Sequence, residues 1–191
     1  MASLLNLSGS TLLSKEKVLF ELYNHYFDGT AAGVIDTGIK LWDGNHPNFR
    51  LELEYETNAV NNITVFTCKP DVSPYSGIRI RFQNNNPYSQ GCMVFTLSDP
   101  LSCTYDSGIT HKPDIYGGHF GASAQAINRC IITRRGNNVV LENNGYMANI
   151  TITTPRTNNL NLLIGCDYRG SNNSTQRYYK GTITKFKLVE L

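Results

Sequence analysis

Charge is scarce in this 191-residue chain: 17% of its positions are Asp, Glu, Lys or Arg, and the net charge is +2. The basic residues are dispersed. Their densest spot, "TRRGNN", holds only Arg134 and Arg135, so there is no basic groove interleaved with aromatics to track a nucleic-acid backbone. Long apolar runs are missing as well, which excludes membrane insertion through a helix. The opening "MASLLNLSGSTLLSKEK" has neither a basic leader nor a continuous apolar stretch, so no signal peptide is expected and synthesis in a host cytoplasm is. Cysteines are five, an odd number, and none forms a CxxC pair: Cys68, Cys92, Cys103, Cys130 and Cys166. Cys92, Cys130 and Cys166 lie in apolar runs and read as reduced structural thiols. The histidines (His25, His46, His111, His119) show no HxH or HExxH spacing, which leaves zinc without a ligand set. No P-loop and no Ser/His/Asp or Cys/His signature is present.

What fills the space left by charge is Asn, Thr, Ser and Gly, set between short runs of β-branched and aromatic residues. The runs at 18–27, 49–57, 62–68, 77–82, 92–97, 129–135, 138–143, 149–154, 160–166 and 180–191 read as strands. "SKEKVLFELY" also fits a short amphipathic helix, but the strand is favoured. Turn clusters such as "DGNHPN", "QNNNPYSQG" and "RRGNN" separate the runs, which argues for an all-β antiparallel sandwich or barrel. "RRGNNVV" predicts a tight hairpin at Gly136 and Asn137, residues that tolerate positive φ. In the last run Ile183 is followed by Phe186 and Leu188, offsets of three and then two, which predicts a β-bulge near Thr184 and Lys185. In "IRIRF", Ile78, Ile80 and Phe82 point inward, and Arg79 and Arg81 point out. Residues 1–14 read as an arm or linker and 15–191 as one domain.

"FRLELEYE" carries the most suggestive side chains. Alternation puts Phe49, Leu51, Leu53 and Tyr55 on one face and Glu52, Glu54 and Glu56 on the other. Three carboxylates on one strand face suit either a solvated sheet surface or a glycosidase pair. A retaining pair needs its carboxyls about 5–5.5 Å apart, whereas residues four apart on a strand are separated by roughly 13 Å at Cα. The solvated face is the favoured reading, with Arg79 and Arg81 as surface partners of the glutamates.

Two segments, "NHYFDGTAAGVIDTGIKLWDGNHPNFRLELEYE" (24–56) and "LNLLIGCDYRGSNNSTQRYYKGTITKFKLVEL" (160–191), resemble the opening and closing strands of the concanavalin A-like lectin/glucanase superfamily, in its laminin-G-like branch. "INRCIITRRGNNVVLENNG" resembles that branch's paired middle strands. The resemblance implies a two-sheet antiparallel jelly-roll β-sandwich. It also offers the superfamily's E-x-D-x-E glucanase motif for comparison: "ELEYE" matches its spacing with Glu54 in place of Asp, in an early strand where the branch carries unremarkable acids. A divergent glucanase using Glu52 and Glu56 is thus the weaker alternative to a non-catalytic module.

Domains of this kind recur as carbohydrate-binding modules and in phage structural proteins. The expected role is binding of a host cell-surface polysaccharide or oligosaccharide by a phage virion component, with other virion proteins or further copies of the chain as partners. A structural or protein-interaction domain without a glycan ligand is the other alternative. Sugar sites need flat rings and planar polar groups, supplied by loops. The candidates are Asn86, Tyr88 and Gln90 in "NNNPYSQG", with Tyr105, Asp106, His111, Asp114, Tyr116 and His119 in the strand-poor stretch 99–125. Trp42 is either a lid on the core or a stacking platform beside Asp43 and Asn45. No cofactor is expected apart from the calcium ion that laminin-G-like relatives often hold; Asp99, Asp106 and Asp114 are the carboxylates that could supply it.

Overall fold

A computed structural model of the chain describes residues 16–57, 63–69, 77–83, 92–97, 103–105, 118–121, 127–143, 146–152, 156–169 and 174–191. Two antiparallel sheets make up the body. The first has seven strands in the order β1 (Lys17–Asp28), β15 (Lys180–Glu190), β3 (Asn48–Thr57), β9 (Asn128–Arg135), β10 (Asn138–Asn143), β11 (Tyr146–Ile152) and β7 (Cys103–Tyr105). The second has six: β2 (Ile35–Asp36), β12 (Leu163–Ile164), β4 (Ile63–Thr67), β5 (Ile78–Gln83), β6 (Cys92–Leu97) and β8 (Gly118–Gly121). A separate hairpin pairs β13 (Asp167–Arg169) with β14 (Ser174–Gln176). The helix reading of "SKEKVLFELY" is excluded, because Lys17 onward is strand. The predicted arm, 1–14, lies outside the described residues.

Alternation in the sequence becomes burial in the sandwich. Phe49, Leu51, Leu53 and Tyr55 on β3 are at most 1% exposed and line the core with Ile132, Val139, Leu141, Phe186 and Leu188. The closing strand has its expected bulge, since the β15–β3 register slips between Ile183 and Lys185. The slip lets Ile183, Phe186 and Leu188 all face inward despite their uneven spacing. The β9–β10 hairpin turns at Gly136, whose φ of 59° is the left-handed conformation that glycine adopts without steric penalty. Buried Tyr179 ties the bulged region together, donating its hydroxyl to the carbonyls of Glu56 and Thr182.

Three expectations need correcting. The stretch 99–125 contains β7 and β8, two short strands that pair at the ends of the two sheets. The run 160–166 yields only the two-residue β12: Gly165, at φ 92°, breaks it, and an added Cβ there would lie 2.6 Å from the Phe27 ring. Finally, Arg79 faces away from the main core but is not on the surface. It is 5% exposed and bonded to Asp167, which is fully buried. Backbone of the hairpin region is pinned to β4 by the bond from Thr64 N to Arg177 O, and Leu163, Cys166 and Tyr168 form a second small cluster there.

Candidate functional site

The outer face of the seven-stranded sheet carries the three glutamates, and strand register sets their neighbours. One row runs Glu21, Lys187, Glu52, Ile131, Glu142, Met147 across six strands. The next runs Tyr23, Lys185, Glu54, Arg129, and a third Tyr26, Thr182, Glu56. Glu52 is the most heavily engaged of the acids: Lys185 Nζ lies 2.5 Å from one carboxylate oxygen and Arg50 Nη2 2.8 Å from the other. The hydrogen bond from Lys185, followed by the charge of Arg50, holds the Glu52 carboxyl below its ordinary range, and the same bond raises the Lys185 ammonium. Glu54 pairs with Arg129 at 3.3 Å. A carboxylate fixed in its ionised form between two cations cannot deliver a proton as a general acid. β5, which carries Arg79 and Arg81, belongs to the other sheet.

Trp42 is 2% exposed and packs edge-on to Phe49. The lid reading holds, and the ring is not available as a stacking platform. Its open face is taken by Arg134, whose guanidinium carbon sits 4.0 Å from the ring centre while Nε donates to the Gly136 carbonyl at 2.9 Å. Asp43 beside it accepts the Asn45 backbone and side-chain N–H groups, both at 2.8 Å, and these bonds lower its carboxyl. The turn is thus internally satisfied.

Of the loop candidates, Tyr105 ends β7 and His119 lies in β8, the last strands of the two sheets. Asn86, Tyr88, Gln90, Asp106, His111, Asp114 and Tyr116 fall outside the described residues, as does Asp99. Among the described residues no three His, Cys, Asp or Glu side chains cluster as metal ligands would.

The sequence reading passed over two exposed aromatics on the first strand. Tyr23 is 50% and Tyr26 58% exposed, both on β1. A signal was available: Leu22 and Phe27 both face the core although they are five positions apart, an odd offset like the one that revealed the bulge in β15. The residue that absorbs it is Asn24, at φ 51°.

No protein-family model matches the chain, and no curated protein sequence matches it. Solved structures do. The LG4-5 domains of the mouse laminin α1 chain match at TM-score 0.52 and 13% identity, over 87% of this chain and 40% of that one. The NanB sialidase of Streptococcus pneumoniae matches at TM-score 0.58 and 13% identity, over 90% of this chain and 26% of that one. The CBM40 of the Ruminococcus gnavus IT-sialidase, bound to α2,6 sialyllactose, matches at TM-score 0.54 and 11% identity, over 90% of this chain and 92% of that one. Against the laminin and sialidase chains, then, this chain spans two fifths or less of the partner's length. Together with the two sheets and the bulged closing strand, these likenesses show that the chain has a jelly-roll fold like those of laminin LG domains and lectin-type carbohydrate-binding modules.

Proposed function

We propose that the protein is a non-catalytic carbohydrate-binding module that recognises a bacterial cell-surface glycan. The observation that carries this reading is the like-for-like match to the CBM40, in which nearly all of one chain superposes on nearly all of the other. That structure holds a sialylated trisaccharide; fold alone does not transfer its ligand. The engagement of Glu52 by Lys185 and Arg50 disfavours a general-acid role for that residue.

The setting we propose is a phage virion, where many copies would turn weak single-site binding into avidity without new contacts. What supports it is the Asn-rich composition and the buried, unbridged thiols Cys68, Cys130 and Cys166, features of a protein that matures in a reducing cytoplasm. Display of the purified chain on a glycan array, as monomer and as streptavidin-clustered tetramer, tests the binding reading, and pull-downs on bacterial cell walls of different types test the host. Binding of a defined glycan supports the module. If neither form binds any glycan or wall, a structural or protein-interaction role replaces it.

A further inference from the structure

Tyr23 and Tyr26 stand on the same face of β1, and simple alternation forbids that. Residues three apart on a regular strand point to opposite sides of the sheet. Here Asn24 takes the left-handed conformation at φ 51°, which resets the alternation within the strand. Phe20 and Leu22 pack inward before it, and the His25 and Phe27 rings meet edge-on, with centres 4.7 Å apart, after it. The two tyrosines are left outward, in register with Lys185 and Thr182. A non-glycine residue at positive φ is disfavoured, by about 1 kcal/mol or more. With Phe20, Leu22 and Phe27 packed inward, both rings are left to the outer face.

The surroundings define the ligand chemistry. Cations and carboxylates alternate on this face and several pair off, Lys185 and Arg50 on Glu52 and Arg129 on Glu54. That suits an uncharged polymer better than a polyanion. The Tyr26 row supplies the polar groups in order across adjacent strands, first the Thr182 hydroxyl and then the Glu56 carboxylate, which carries no ion pair among the described residues. With strands about 4.8 Å apart, Glu56 is roughly two strand spacings from Tyr26. A sugar ring lying flat on Tyr26 would present its edge hydroxyls to Thr182 and Glu56. Tyr23, about 10 Å along the strand at 3.3 Å per residue, would take a neighbouring unit of the same chain. Flat apolar sugar faces stack on aromatic rings, and carboxylates accept from vicinal hydroxyls.

We infer that Tyr23 and Tyr26, backed by Thr182 and Glu56, form a stacking platform for a neutral polysaccharide on the outer face of the seven-stranded sheet. This rests on the glycan-binding reading and places its site away from the loops at 84–120. The test is isothermal titration of the full chain with neutral hexasaccharides (cellohexaose, laminarihexaose, chitohexaose, a galactan fragment) and sialyllactose. Sedimentation velocity runs alongside. Wild type is expected to bind at least one neutral hexasaccharide. Tyr23→Ala and Tyr26→Ala are each expected to weaken it tenfold or more, Glu56→Gln severalfold, and Tyr26→Phe less than threefold. Melting temperatures, read in parallel, should be unchanged because both rings are exposed. A glycan bound equally well by wild type and by both alanine variants would overturn this site while leaving the glycan-binding reading intact. No binding of any sugar by wild type would overturn both. Tyrosine variants that convert a dimer to a monomer with sugar affinity unchanged would show the patch to be a contact between copies of the chain, which also overturns it.

Discussion

The Arg134 guanidinium lies flat against Trp42, 4.0 Å from the ring centre, in a position that is 8% exposed. A cation held there has lost most of its water, and desolvation lowers the guanidinium's affinity for its proton. The ring's negative face and the Gly136 carbonyl replace that water. A desolvated cation–π contact contributes about 2 kcal/mol. Arg134→Ala should therefore lower unfolding free energy by about 2 kcal/mol or more in urea titrations, with Arg134→Lys recovering only part of it. Because Trp42 faces the core, the variant should leave glycan binding untouched.

Asp167 and Arg79 form the most deeply buried ion pair among the described residues. Arg79 Nη1 reaches both carboxylate oxygens, at 3.0 and 3.2 Å, and Arg177 lies 3.6 Å away. Removing one partner of such a pair strands the other charge, at a cost of about 3–5 kcal/mol. Asp167→Asn should show that loss by chemical denaturation. The double change Asp167→Leu with Arg79→Met should lose less than the single one, since no stranded charge remains on that pair.

Gly165 is irreplaceable for two independent reasons. Its φ is 92°, and a Cβ would meet the Phe27 ring at 2.6 and 2.7 Å. Backbone strain and overpacking each cost about 1–3 kcal/mol. Gly165→Ala should lower the melting temperature by many degrees, whereas Gly136→Ala, with φ 59° and open space at the Cβ position, should cost about 1 kcal/mol from conformation alone.

Burial pushes the thiols of Cys68 and Cys166 up to about 12 and that of Cys130 higher still. At pH 8 these three should resist Ellman's reagent in the folded protein and react at once in guanidinium. The folded thiols keep their protons while unfolded ones, titrating near 9, lose theirs. Their contribution to stability is therefore complete below pH 9 and declines as pH rises toward 12. A pH series of urea midpoints checks the sign.

Glu52 behaves in the opposite sense. Its pKa is depressed by Lys185 and Arg50, so its contribution is present above the ordinary carboxylate range and fades as pH falls through it. The side chains are 20–37% exposed, so Glu52→Gln should cost no more than about 1 kcal/mol. It should also leave any background hydrolysis of β-glucans unchanged, and a Glu52-dependent turnover would revive the glucanase reading.

Much of this was legible in the chain. Alternation in 49–57 placed four core side chains correctly, "RRGNN" announced its hairpin, and uneven spacing in 180–191 exposed the bulge at Thr184. These are local features, written in adjacent residues. Arg79 was misread because alternation tells which way a side chain points and not what later covers it; the cover comes from Asp167, 88 residues on. The two tyrosines were missed because one left-handed asparagine in mid-strand leaves no compositional mark beyond an odd offset between Leu22 and Phe27. Loop-borne site candidates rest on residue type alone, and alternation has no purchase there.

The position of β15 has a kinetic consequence. It lies between β1 and β3, which do not bond to each other, and its contacts with β3 join residues as far apart as Lys185 and Glu52, 133 positions along the chain. Until that strand arrives, β1 has no neighbour to pair with and β3 has only β9. Closing so long a loop before any reward is collected makes folding slow, on the scale of milliseconds to seconds. During that interval the inner faces of β1 and β3 stand open, so the yield of folded protein should depend on how dilute the chains are while β15 is still searching for its slot.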